Sequence, residues 1–133
     1  MSWKVQRDKG LLECDFGEWT GAKLSDLQLP EWATVQRYPS GFRFPGGEVV
    51  HLATQCDGVA AGAAAATRPT VVAVSHADPI KAAVAHALGT HLDLFQRIVV
   101  SPCSITAILR TAGGPIVLAV NSTGDDLRAL VPS

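Results

Sequence analysis

The sequence predicts an α/β fold with a mostly parallel central sheet, and three observations carry that prediction. Residues 70–75, TVVAVS, are a short continuous apolar run rich in valine, the pattern of a strand buried on both faces. A helical pattern follows at once: Ile80, Ala83, Val84, Ala87 and Leu88 recur with helical spacing, so one helix face is expected to meet the sheet. SITAILRT (104–111) and PIVLAVNS (115–122) then flank Ala112-Gly113-Gly114, which reads as a hairpin. A buried strand, a crossover helix and an antiparallel pair together specify an α/β sheet.

The remaining elements are read in chain order. Residues 3–12 read as a short strand leading into a turn. LLECDFGEWTG (11–21) follows, punctuated by Gly17 and Gly21. Residues 22–29 suit a short helix stopped at Pro30, and Pro30-Glu31-Trp32 opens another to about Arg37. YPSGFRFPGGE, with two prolines and three glycines, is a loop. Residues 48–66 read as a helix with an alanine-rich end, GVAAGAAAAT, closed by Arg68-Pro69. Asp78 is expected to cap the helix after the valine run, with Pro79 at its first position and Gly89 at its end. LDLFQR (92–97) suits a further helical turn, and the tail from Thr123 is polar.

Composition bounds the function. The 133 residues fit one domain, and 47% hydrophobic content supplies a core, expected to be mainly Ala, Val, Leu and Ile because aromatics are only 6%. Eleven basic against twelve acidic residues, with no basic stripe, do not suggest a nucleic-acid partner. No apolar run reaches membrane-span length and no signal-peptide core follows Met1, so the chain is expected to be soluble and cytoplasmic. Cys14, Cys56 and Cys103 form neither a zinc signature nor a disulfide framework, and are expected to be buried or half-buried thiols.

The chemistry centres on His76. In open α/β sheets ligands sit beyond the carboxyl ends of the strands, and His76 follows the valine run directly. Backbone N–H groups at residues 77–80, less the one Pro79 lacks, favour an anion at the helix start. A histidine there can donate to a phosphate oxygen or carry a proton. Equally, it can bond a neighbouring carbonyl while Asp78 only caps the helix; the local pattern leaves both open. His51, His86 and His91 read as surface histidines. Cys103-Ser104 has no G-x-S-x-G elbow around it, and FPGGE is no P-loop because no GK[ST] follows. Glu13 and Asp15 suit either an acid for a leaving group or an exposed turn.

Taken in order, the motifs resemble the histidine phosphatase superfamily, its phosphoglycerate-mutase-like branch, and within it the actinobacterial phosphomutase type. LLECDFGEWTG looks like the family's acidic motif, L-x-E then G-x-W-x-G. PGGE (45–48) looks like its P-x-G-E-S loop. VVAVSHADPI (71–80) looks like the second-histidine motif, usually S-H-G-G. LAVNSTGDDL (118–127) fits the last strand and the asparagine after it. The resemblance implies a three-layer sandwich with flanking helices, and phosphomonoester hydrolysis or phosphoryl transfer through phosphohistidine. It makes His76 and Glu13 the catalytic pair, as second histidine and general acid, and His76, Ala77 and Asp78 the phosphate-binding set. The implied partner is a phosphorylated small molecule; no metal and no cofactor are implied.

The departures are as informative. The family opens with a strand ending in R-H-G, which supplies the nucleophile, and no R-H-G occurs in this sequence. Val49 stands where the loop motif has serine, and Cys56 where many relatives have arginine. The chain therefore looks like the family without its N-terminal catalytic unit. It is expected to be inactive alone, with a non-catalytic protein binding a phospho-ligand or a protein partner as the alternative. A small hydrolase using Cys103 or Ser104 is a third reading. A valine strand without its neighbour leaves an apolar edge, so homodimerisation, strand exchange or poor solubility is expected.

Overall fold

The computed structural model describes residues 5–23, 25–27, 30–47 and 70–124. Two α-helices, α1 (Pro30–Arg37) and α2 (Ala77–Ala87), and one antiparallel hairpin, β1 (Ile105–Thr111) with β2 (Gly114–Ser122), form its regular part. Short 3-10 turns at Lys9–Leu11, Gly17–Trp19, Pro39–Gly41 and Leu92–Arg97 complete it. The helix expected at 48–66, with His51 and Cys56, lies outside the described residues, as does the tail from 125.

The hairpin forms where expected. Thr111 pairs with Gly114 across Ala112-Gly113, and the ladder runs back to Ile105 opposite Ser122. Register irregularities between Ile105 and Ile108 bend β1 as a bulge does.

Helix α2 forms as expected but is capped and turned differently. His76, with extended φ −101° and ψ 172°, is the N-cap, not Asp78. Ala77 and Asp78 are already helical, and Pro79 sits two places deeper, at the third helical position. Proline is tolerated there because a first-turn N–H has no carbonyl to meet. Gly89 ends the helix as expected, at φ +65°. The Gly89 N–H donates to His86 O (3.1 Å) and the Thr90 N–H to Ala85 O (2.8 Å), the paired bonds of a Schellman closure. The buried face is Pro79, Ala82, Val84 and Ala85, whereas Leu88 is exposed. Alanines at 82 and 85 let Phe95, itself 1% exposed, approach the helix closely.

Among the described residues the buried hydrophobics are mainly aliphatic, as expected (Leu27, Val35, Ala82, Val84 and Ala85), but Phe44 and Phe95 join them and further aromatics surround them. Val35, Phe44, Ala82, Ala85 and Phe95 form the centre of the core, with Phe16, Trp19, Trp32 and Phe42 packed around it. Few as the aromatics are, most are concentrated here. Ring centroids lie 5.1 Å apart for Phe16–Phe44, 5.3 Å for Phe42–Phe44 and 5.6 Å for Trp19–Phe44, all close to edge-on. Such pairs contribute about 0.5–1.5 kcal/mol each beyond burial. Cys14 is half-buried, but Cys103 is exposed, because φ +59° in a turn carries it outward rather than into the core.

Three expected elements differ. Residues 5–8 form no strand, and Lys9–Leu11 is a 3-10 turn. Residues 25–27 are a turn rather than helix, with Leu27 buried. The run 70–75 carries no strand ladder, and Val71, Val72 and Val74 are exposed rather than buried on both faces. A strand is defined by its neighbour, and among the described residues none pairs with this run. The sheet of the described residues is therefore two-stranded and antiparallel, and a mostly parallel centre is not seen in it. Among the same residues no helix is long and apolar enough to cross a membrane.

Candidate functional site

Sequence-distant segments meet at the start of α2. The Ser75 hydroxyl donates to the Leu11 carbonyl at 2.6 Å, which ties the first motif to the third. Gly17 joins the first motif to the second. It has φ +56°, and a Cβ there would collide with Pro45 O, Gly47 N and Gly46 C. The Glu18 N–H donates to Pro45 O at 2.9 Å across the same contact. Asp15 Oδ1 accepts from the Gly17 N–H at 2.9 Å and shapes the turn. The glycines are thus needed for backbone-to-backbone approach.

This packing sets Glu13 against the helix start. Its carboxylate accepts from the Cys14 N–H at 3.2 Å and from the Asp78 N–H. Burial pushes the Glu13 carboxyl above its ordinary range, and the nearby negative charge of Asp78 pushes it further the same way. The two N–H donors and His76 pull in the opposite direction without cancelling the rise. A carboxyl held toward its protonated form is suited to give a proton to a leaving oxygen.

His76 is exposed, and its side chain does not cap the helix. It lines a cavity of ≈ 280 Å³ with Ser75, Ala77 and Ile80, closed opposite by residues 100–104. The first-turn donors divide among separate tasks. Asp78 N–H is directed to Glu13 and Ile80 N–H to the His76 carbonyl at 3.2 Å, while Pro79 has none. Ala77 lines the same cavity as His76. The expectation that residues 77–80 all present donors to an anion is corrected for Asp78 and Ile80, whose N–H groups are directed within the chain. The Asp78 carboxylate is 3.2 Å from Lys81 Nζ, which also donates to Gln96 Oε1 at 3.0 Å. Asp78 lines a second cavity of ≈ 260 Å³ with Cys14 and the aromatic core.

Sequence reasoning missed the wall facing His76. Ser101, Pro102, Cys103 and Ser104 form it. Asn121, noted only as part of the last motif, fixes that wall: its Oδ1 accepts from the Ser101 N–H at 2.7 Å. Asn121 is itself left-handed at φ +56°, a conformation asparagine tolerates better than most residues. Placed just after a strand, an Asn is a recognisable turn signal, but its partner twenty residues upstream is not readable from spacing. His86 and His91 are exposed and away from this cavity. Among the described residues, no three His, Cys, Asp or Glu side chains gather as a metal site.

The fold resembles a solved structure, that of a candidate alpha-ribazole-5'-P phosphatase from Escherichia coli. The TM-score is 0.75 at 16% identity, over 96% of this chain and 65% of that one. The chain thus spans just under two thirds of the length of the structure it resembles. No curated protein matches it in sequence. Residues 1–123 match the histidine phosphatase superfamily (branch 1). That match takes in both the acidic motif and the His76 motif that the fold brings together, and the chain belongs to the histidine phosphatase superfamily.

Proposed function

We propose that this chain carries the phosphoryl-binding half of a phosphoglycerate-mutase-like phosphatase or phosphomutase site, within a three-layer α/β sandwich. The observation that carries the reading is the meeting of Glu13 with the start of α2, beside His76. In this reading His76 and the Ala77 N–H bind phosphoryl oxygens. Glu13 is the acid for the leaving oxygen. Asp78, through its N–H, holds Glu13 in place and completes the anion-binding turn. Charge developing on a transferring phosphoryl group is best met by donors fixed in advance, and a helix start supplies them. The ligand is a phosphorylated small molecule.

A nucleophilic histidine forms the phosphohistidine in this chemistry, and the sequence holds no R-H-G to supply it. This favours binding without turnover for the 133-residue chain alone. The test is phosphate release from an aryl phosphate ester. Little or no release is expected from the chain. Robust turnover that survives His76→Ala would overturn the assignment.

A further inference from the structure

We infer that the ≈ 260 Å³ cavity beside Asp78 is the subsite for the alcohol portion of the phosphate ester, and that this portion is an uncharged aromatic group. Its place in the reaction rests on the phosphoryl reading of His76 and Glu13; the chemistry it accepts is set by its own lining.

Backbone bonds give the position. Cys14 and Asp78 line this cavity, and both direct their N–H groups to the Glu13 carboxylate. His76 and Ala77, immediately before Asp78, line the other cavity. The chain from 76 to 78 thus divides the two spaces, and Glu13 is bonded at the division. A general acid must reach the oxygen that joins the phosphoryl group to its alcohol. With the phosphoryl group on His76 and Ala77, the alcohol is carried to the side where Cys14 and Asp78 stand.

The lining gives the class of alcohol. Phe16, Trp32, Phe44 and Phe95 supply rings from separate segments of the chain. Phe44 and Phe95 are 2% and 1% exposed, so these walls are anchored in the core and formed in advance. A cavity of about 150 Å³ accepts benzene, so this larger one has room for a substituted ring, and ring walls favour a ring as occupant. Charge separates the remaining choices. Among the described residues, Asp78 is the charged member of the lining, and no lysine or arginine lines it. The Lys81 ammonium is engaged with Asp78 Oδ1 at 3.2 Å and Gln96 Oε1 at 3.0 Å. An alcohol bearing a carboxylate or a second phosphate would meet a carboxylate here, with no cation in the lining to receive it.

NMR titration of the isotope-labelled chain with phenol, phenyl phosphate, phosphoglycolate and inorganic phosphate tests this. Phenol is expected to give saturable shifts at the Cys14, Phe95 and Gln96 amides and the Trp32 indole. Phenyl phosphate is expected to move these and Ala77 together, and to bind at least about tenfold more tightly than inorganic phosphate, because its two parts are linked. Phosphoglycolate, with its carboxylate, is expected to bind no more tightly than inorganic phosphate. Gln36 and Gln96 are exposed positions of the lining on different elements. Gln36→Trp and Gln96→Trp set a ring into the space and are each expected to abolish the phenol shifts, with far-UV circular dichroism checking the fold. Phenol shifts that are absent, scattered over the surface, or retained in both variants overturn the inference. Phosphoglycolate binding more tightly than phenyl phosphate also overturns it. Inorganic phosphate that leaves Ala77 and His76 unmoved, while phenol still fills the cavity, overturns the phosphoryl reading and upholds the aromatic assignment of the cavity.

Discussion

Gly17→Ala tests whether the acidic motif and the PGG loop are held together backbone to backbone. Two costs apply. The first is conformational: φ is +56°, and an L-residue in the left-handed region costs about 1–2 kcal/mol. Restricting the unfolded chain returns about 0.4–1 kcal/mol of that. The second is steric: the new Cβ would collide with backbone atoms of Pro45, Gly46 and Gly47, none of which is the end of a flexible side chain. Relieving such a collision costs about 1–3 kcal/mol. Gly89→Ala is the matched control. Its φ is +65° but nothing lies within 4 Å of its added Cβ, so it carries the first cost alone. The net losses are about 2–4 kcal/mol for Gly17→Ala and about 1 kcal/mol or less for Gly89→Ala. Urea denaturation of both variants and the wild type measures the difference. Equal losses in the two variants would refute the close approach and, with it, this account of why the two motifs meet.

Other predictions follow from the same structure. Phe95→Ala empties the space beneath Ala82 and Ala85 and is expected to cost about 3–5 kcal/mol by urea denaturation. Asn121→Ala removes the bond to the Ser101 N–H and leaves alanine at φ +56°, so a loss of about 1–3 kcal/mol is expected, with amide exchange quickening at Ser101. Glu13→Gln is expected to be more stable than the wild type near neutral pH. Because the folded chain holds the Glu13 proton more tightly than the unfolded chain, stability falls as pH rises from the ordinary carboxylate value through the raised folded one. The advantage of glutamine is therefore expected to fade below about pH 4, where the carboxyl is protonated in both states. Paired denaturation curves across pH measure it, and an advantage independent of pH would count against a raised Glu13.

Local chemistry made much of the chain legible. The hairpin was readable because two β-branched runs flank a glycine turn, and α1 because a proline opens it. Gly89 marked the end of α2, since only a left-handed residue closes a Schellman turn cheaply. Motif order pointed to Glu13 and His76, and the fold sets Glu13 against the helix that His76 opens. What sequence could not show depends on neighbours. The valine run reads as buried by pattern, yet burial needs a partner strand, and the described residues supply none. The buried face of α2, Pro79, Ala82, Val84 and Ala85, keeps helical spacing but is rotated from the expected one, with Ala82 and Ala85 packed in the cluster that holds Phe95 and Leu88 left exposed. The Asn121–Ser101 bond and the Asp78 N–H bond to Glu13 are long-range facts with no local signature.

The central claim is that His76 and the Ala77 N–H bind a phosphoryl group at the start of α2. Titrating the isotope-labelled chain with inorganic phosphate, and following its amide and imidazole signals by NMR, tests it most directly. The account predicts saturable shifts concentrated at the Ala77 amide and the His76 ring, retained in Glu13→Gln and lost in His76→Ala. Shifts scattered over the surface, or none at Ala77 up to about 50 mM phosphate, where even a millimolar site would be filled, would contradict it.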